Sequence, residues 1–163
     1  RLARKGKPAE IIVKLNSLSD GVLLEALYKA ARAGVQVHLI IRGIFCQRIN
    51  GDDIDAQVHA ISIVDQYLEH ARVMIFSRGG DPLVYISSAD WMVRNLDHRV
   101  EVATPVYDDR IKQELIDLIR IQLVDNQKAR ILEPGLSNRY VSAGRKKIRS
   151  QEQTYVFLRS KLR

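Results

Sequence analysis

Glu69-His70-Ala71-Arg72 leads into the apolar run Val73-Met-Ile-Phe76. In an extended chain, residues two apart face the same side, so His70 and Arg72 can address one ligand. Imidazole carries or exchanges a proton near neutral pH, and a guanidinium binds phosphoryl oxygens through a two-pronged fork. The same spacing also suits a packed histidine beside a surface arginine. A second segment, Tyr85-Ile-Ser-Ser-Ala-Asp-Trp-Met-Val-Arg-Asn95, begins as a strand and turns polar at Ser87, Ser88 and Asp90. Hydroxyls and backbone N–H groups in such turns are common anion ligands, and Arg94, Asn95 and Arg99 follow closely. Trp91, the only tryptophan, fits a packing anchor. The third candidate is Arg42, which ends an apolar strand at Arg42-Gly43. The bare Gly43 leaves room for a ligand at the backbone, and ligands bind at the strand ends of parallel sheets. Parity puts His38 on the same side of that strand, as a sheet-face residue.

Other chemistries find no support. The four histidines, His38, His59, His70 and His98, are not spaced as metal ligands, and Gly79-Gly80-Asp-Pro makes a turn rather than a phosphate cradle. The single Cys46 excludes an internal disulfide framework and fits a reducing compartment. No apolar run approaches the ~20 residues that span a bilayer. The start at Arg1 points to a piece of a longer chain. The net charge of +7 is uneven. Residues 1–7 carry +4 and residues 145–163 carry +6, while 8–144 hold 15 basic and 18 acidic residues. The tail cations Arg145, Lys146, Lys147 and Arg149 could hold a polyanion by counterion release, or simply be solvated.

The elements that must position these residues read as follows. Glu10–Asn16 is a strand. Ser19 and Asp20 suit an N-cap, and Val22, Leu23, Ala26, Leu27, Ala30 and Ala31 recur at helical spacing up to Gly34. A buried strand over 35–42 completes a βαβ unit, which calls for a parallel sheet. Residues 43–60 read as a polar loop, and 61–69 fit no single element. A hairpin joins 72–76 to 83–87. Arg99–Ala103 reads as a strand stopped by Pro105, and an amphipathic helix runs from Asp108 for about four turns. Lys128–Leu132 is a last strand, Pro134-Gly135 breaks the chain, and a short helix spans 151–162.

Taken together, the segments resemble the C-terminal catalytic domain of bacterial polyphosphate kinase, the long, phospholipase-D-like kind. The resemblance runs from about Ile11 to Leu132. It is carried by Lys-Leu-Asn-Ser-Leu (14–18), Ala-Leu-Tyr-Lys-Ala-Ala-Arg-Ala-Gly-Val (26–35), Leu-Ile-Ile-Arg-Gly-Ile (39–44), Tyr-Leu-Glu-His-Ala-Arg (67–72) and Tyr-Ile-Ser-Ser-Ala-Asp-Trp-Met-Val-Arg-Asn-Leu (85–96). Arg-Val-Glu-Val (99–102) and Asp-Asn-Gln-Lys-Ala-Arg (125–130) add to it.

The resemblance implies an α/β fold, a phospholipase-D-like mixed sheet flanked by helices. Residues 1–9 would be a basic lead-in from an upstream domain, 10–133 the domain itself, and 134–163 a basic tail with a short helix. It further implies an ATP:polyphosphate phosphotransferase in which an upstream histidine takes the γ-phosphate of ATP reversibly, the isolated fragment being inactive. Arg42 and His70 match the ATP- and phosphate-binding residues of this half. His70-x-Arg72 takes the place of the superfamily's His-x-Lys, and Ser88-Ala-Asp90 that of its Gly-Ser-x-Asn region. The expected site is therefore His70 as catalytic residue, with Arg42, Arg72, Ser88, Arg94 and Asn95 on ATP or phosphate and no protein-held metal. Mg²⁺ would arrive with ATP or ADP. Glu69 reads as solvated.

Expected partners are ATP, inorganic polyphosphate, the other domains of the enzyme and, at full length, a further copy, with no specific nucleic acid. The expected location is cytoplasmic, peripheral to a membrane at most. Three departures stand out. The superfamily's Asp seven residues after the His falls on Ser77. The usual Gly-Arg-Phe is Asp65-Gln66-Tyr67 here, which removes one phosphate contact at position 66. The loop 45–57 lacks the usual Pro-Gly pattern. The rival readings are a phosphodiesterase or nuclease of the same superfamily, which Arg72 and Ser77 oppose, and a non-catalytic polyanion-binding module.

Overall fold

The computed structural model describes residues 2–46, 57–77, 79–133, 135, 137–142, 144 and 146–162. A 3-10 turn at Ala3–Lys5 precedes β1 (Glu10–Leu15), α1 (Gly21–Arg32) and β2 (Gln36–Ile41). Then follow β3 (Val58–Ile63), β4 (Arg72–Phe76), β5 (Leu83–Ser87), the one-turn α2 (Val93–Leu96) and β6 (Ala103–Pro105). The chain ends with α3 (Asp109–Leu123), β7 (Ala129–Ile131) and α4 (Ser150–Lys161).

The strands form one mixed sheet in the order β6-β5-β4-β1-β2-β3-β7. The βαβ expectation is met: β1 and β2 pair in parallel, and β3 joins β2 in parallel. The hairpin β4–β5 is antiparallel and lies on the other side of β1. Central strands are covered on both faces, which explains their unbroken apolar runs. Val13, Leu15, Val37, Leu39 and Ile41 face Leu24, Leu27 and Ala31 of α1. Ile12, Ile40, Val73 and Ile75 face Ile116 and Ile119 of α3. Burying each such side chain contributes roughly 1.5–3 kcal/mol.

Local chemistry sets the helix ends. The Asp20 carboxylate accepts the Leu23 N–H at 2.8 Å, and Asp108 accepts the Ile111 N–H at 2.9 Å, each satisfying a donor the helix leaves open. Gly34 takes φ 89° just past α1, the left-handed turn that favours glycine.

Two elements differ from the sequence reading. Residues 58–60 belong to β3, not to a loop; His59 and Ser62 break the apolar pattern because this strand lies near one edge of the sheet. Residues 99–102 are irregular and the strand is only Ala103–Pro105. There the Ser88 N–H still donates to the Val102 carbonyl at 3.0 Å, while the Val102 N–H goes to the Ser88 hydroxyl at 3.0 Å, so a side chain replaces one backbone acceptor where the pairing ends. Pro105 sits on an edge strand, where its missing N–H costs nothing. Among the described residues no helix is long and apolar enough to cross a membrane.

Candidate functional site

Topology brings the singled-out residues to one end of the sheet. Lys14, near the end of β1, pairs with Ile40 of β2 and with Val73 of antiparallel β4. Arg72 in turn pairs with Ser87 at the end of β5. The carboxyl ends of β1, β2 and β5 therefore meet the start of β4. Asn16, Arg42, His70 and Asp90 lie in the loops just beyond these ends.

Asp90 is the hub. It is 3% exposed, and its Oδ1 accepts the backbone N–H groups of Asn16 (2.9 Å) and Ser17 (3.0 Å). The Arg72 fork completes its shell, with Nε on Oδ1 at 3.1 Å and Nη2 on Oδ2 at 3.0 Å. Burial works against the charged carboxylate, yet Arg72 and these N–H groups outweigh it and hold Asp90 below the usual carboxylate range. The other side of the Arg72 guanidinium meets His70. Nη1 donates to the His70 carbonyl at 2.9 Å and lies 3.2 Å from its Nδ1, while Nη2 lies 3.0 Å from Nε2. A neutral imidazole has one acceptor nitrogen, so only one of these ring contacts is a hydrogen bond. His70 itself is exposed.

Spacing predicts that His70 and Arg72 address one ligand side by side. The structure instead turns Arg72, only 11% exposed, onto Asp90, so that its fork seats the histidine rather than standing open. Arg42 remains the more available guanidinium. Its Nε and Nη2 both donate to Asn16 Oδ1, at 2.8 and 2.6 Å, which leaves three of its five N–H donors. Asn16 thus ties Arg42 by its side chain and Asp90 by its backbone. Gly43 makes room for this tie rather than for a ligand: its N–H donates to the Asn16 carbonyl at 2.7 Å, and a Cβ there would stand 3.1 Å from that oxygen. Gly43→Ala is expected to destabilise the fold by roughly 1 kcal/mol and to loosen Arg42; a denaturant midpoint equal to wild type would refute this contact.

Glu69 is not solvated. It is 15% exposed, and its Oε2 accepts the Lys14 ammonium at 2.6 Å. Lys14 is buried in β1; burial pushes its pKa down, Glu69 opposes the shift, and Arg42 adds to it. The pair lines a cavity of about 420 Å³ that opens beside His70. A larger opening of about 690 Å³ lies at the other end of the sheet, between Lys7, Glu10, Ser77 and Arg120, away from these groups. His38 stands near that opening, its Nε2 3.5 Å from Glu10 and its ring 5.4 Å from His59.

Ser88 and Asn95 join a separate cluster. The Ser88 hydroxyl donates to Glu101 Oε2, and Asn95 Nδ2 donates to Glu101 Oε1 at 2.7 Å. These two bonds hold Glu101 below the usual carboxylate range. Ser88 and Asn95 thus hold a carboxylate where anion ligands are expected. Arg94 is exposed on α2 and has no hydrogen bond or ion pair among the described residues. Trp91, partly buried, packs against the cluster that includes Leu18 and Leu24, and its carbonyl accepts the N–H groups of Ser19 and Asp20, at 2.8 and 2.9 Å.

The basic tail is docked over much of its length. Arg149 Nε and Nη2 grip Asp65 at 2.8 and 2.7 Å, and α4 packs on α3. Arg149 is therefore an ion-pair partner rather than a solvated cation, whereas Lys146 and Lys147 are exposed. Arg145 and the loop positions 47–56 lie outside the described residues.

Sequence reasoning missed Lys14, Asn16 and Gln151 as parts of this region. The signal for Lys14 is a charge inside a doubly covered strand. Asn16 stands in the Lys-Leu-Asn-Ser-Leu motif (14–18), but nothing there shows its ties to Arg42, and Gln151 carries no signal, because both act across the fold. Among the described residues, no three His, Cys, Asp or Glu side chains are grouped to hold a metal ion.

Comparison with known proteins completes the picture. A family model described as polyphosphate kinase C-terminal domain 2 matches residues 1–151. Polyphosphate kinase of Escherichia coli K12 is 50% identical over 159 residues, which cover 97% of this chain and 23% of that protein. The Vibrio cholerae polyphosphate kinase is 46% identical over 160 residues. The crystal structure of polyphosphate kinase from Porphyromonas gingivalis superposes with a TM-score of 0.91 at 40% identity, covering 97% of this chain and 24% of that one. Nuc of Salmonella typhimurium, a phospholipase D family member, shares the fold at 14% identity, with a TM-score of 0.58 over 80% of this chain and 86% of its own. The chain spans about a quarter of the polyphosphate kinases it matches. With residues 1–151 matched, it belongs to the polyphosphate kinase C-terminal domain 2 family, on a phospholipase-D-like fold.

Proposed function

We propose that this chain supplies one wall of the active site of an ATP:polyphosphate phosphotransferase. In that reaction the γ-phosphoryl leaves ADP as its phosphorus bonds a histidine nitrogen upstream of this chain. That P–N bond then breaks as the terminal oxygen of polyphosphate attacks, and the sequence is reversible. The observation that carries the reading is the linked set Arg42–Asn16–Asp90–Arg72–His70, which places one guanidinium with open donors and one exposed imidazole at the same end of the sheet.

Phosphoryl transfer depends mainly on positioning and charge neutralisation. Arg42 meets phosphoryl oxygens with charge-assisted bonds. His70 donates a hydrogen bond to the bridging oxygen as ADP departs. Arg72 acts through His70 and Asp90. The site carboxylates of this chain are committed, Asp90 to Arg72 and Glu69 to Lys14, so a Mg²⁺ entering with the nucleotide would find no free carboxylate in this set and would supply charge neutralisation at the phosphates. The other partners are polyphosphate and the remaining domains of the enzyme.

The test uses the complete parent enzyme with ATP and a polyphosphate primer. ADP release should match chain growth, and Arg42→Ala should raise the KM for ATP about 10- to 100-fold, the loss of one or two charge-assisted bonds. Unchanged ATP dependence in that variant, or hydrolysis of a phosphodiester by the parent enzyme without ATP, would count against the reading.

A further inference from the structure

Residues 64–71 carry His70 but form neither helix nor strand. Their larger apolar side chains face outward: Val64, Tyr67 and Leu68 are 67%, 66% and 72% exposed. A segment that buries so little apolar surface opens at low cost unless polar ties hold it.

Arg72 holds the His70 end of the segment and Lys14 holds Glu69; the ties to Asp65, Tyr67 and the other oxygen of Glu69 come from the start of α4. The Gln151 side-chain amide accepts the Tyr67 N–H at 2.9 Å and donates back to the Tyr67 carbonyl at 2.9 Å. It thus pairs with this residue as a neighbouring strand would. The same Nε2 also donates to Glu69 Oε1 at 3.0 Å, while the other oxygen of Glu69 holds Lys14. Two residues earlier, Arg149 forks onto Asp65, whose side chain is 2% exposed. The helix start is itself anchored elsewhere. The fully buried Asp125 accepts the Ser150 N–H at 2.7 Å, and Asn126 binds the backbone of Ile148. A rigid mount and a weakly packed segment are therefore joined by a few directed bonds that end one residue short of His70.

We infer that Gln151, backed by the Arg149–Asp65 fork, is a positioning residue that sets where the His70 ring stands during phosphoryl transfer. The inference rests on the role proposed for His70. Glutamine is suited to it because one amide both donates and accepts. Glutamate would lose the donor and face the carboxylate of Glu69. Asparagine falls one methylene short.

The experiment uses the complete parent enzyme. Gln151→Ala should lower kcat about 10- to 100-fold, the range for misplacing a reacting group, with the KM for ATP within about twofold because Arg42 is untouched. Amide exchange should quicken at 65–70 and not in β1. In a His70→Ala background, Gln151→Ala should add no further loss, since both act through one ring. The charge swap Asp65→Arg with Arg149→Asp should recover part of what either single change removes. Unchanged kcat or unchanged exchange in Gln151→Ala overturns the inference, as does an equal fold loss with and without His70. If His70→Ala is inert and Gln151→Ala is not impaired, only the positioning claim falls. If His70→Ala turns over normally, the role of His70 falls first and the positioning claim with it.

Discussion

His70→Ala in the complete parent enzyme is expected to cut ATP-dependent polyphosphate synthesis by about 10²- to 10⁴-fold, the usual worth of a positioned proton donor or acceptor, while leaving the melting temperature nearly unchanged. Two observations motivate this separation. The ring is exposed, outside both hydrophobic clusters, so its removal opens no core cavity. The bond from Arg72 to residue 70 that does not involve the imidazole, Nη1 to the backbone carbonyl, survives the substitution. Synthesis should be followed as polyphosphate formed per ADP released, beside thermal unfolding of the same preparations. Normal turnover would reduce His70 to a surface residue beside Arg72. A large drop in melting temperature would mean that it packs rather than reacts.

Asp90→Ala should instead fail as a fold. Removing the carboxylate strands the largely covered Arg72 guanidinium, 11% exposed, and unpairs the N–H groups of Asn16 and Ser17. Breaking such a buried pair from one side costs about 3–5 kcal/mol, a large share of the stability of a domain this size. Activity should fall as well, because Arg42 and His70 both hang from this hub. Asp90→Asn should fold with reduced stability: its oxygen can still accept the Asn16 and Ser17 N–H groups, while its amide turns a donor toward a donor of Arg72. The acid dependence follows in sign. The folded pKa of Asp90 lies below its ordinary value, as do those of Asp65 and Asp125. The stability each contributes is therefore present above the unfolded carboxylate pKa, about 3.9, and is lost as pH falls through the folded value. Unfolding free energies between pH 6 and 3 should decline in wild type and decline less steeply in Asp90→Asn. Parallel curves would show that Asp90 is not the linked group.

Much of the architecture was legible because periodicity reports burial. The run Glu10–Asn16 reads as a strand, and the helical spacing from Val22 to Ala31 as a helix, although its buried face is Leu24, Leu27 and Ala31 while Val22 is 79% exposed; Asp20, Asp108 and Gly34 read as helix boundaries. These are local rules acting on neighbouring residues. The same rules failed at β3, where a peripheral strand admits His59 and Ser62, and at 99–102, where Glu101 draws Ser88 and Asn95 into a side-chain cluster and the Val102 N–H turns to the Ser88 hydroxyl.

The candidate site divides in the same way. Sequence by itself determined that Arg42 sits at a strand end, that His70 and Arg72 stand two apart at the start of another strand, and, through the motifs that resemble the family, which chemistry such groups serve. Only the tertiary structure decided what each does. It turned Arg72 onto Asp90, 18 residues away, paired Glu69 with the buried Lys14, 55 residues away, and placed Gln151 on a segment 84 residues earlier. The physical reason is that a side chain's role is set by which donors and acceptors remain unpaired once the strands have aligned. Residue types fix how many bonds a group can make, and the sheet order fixes with whom.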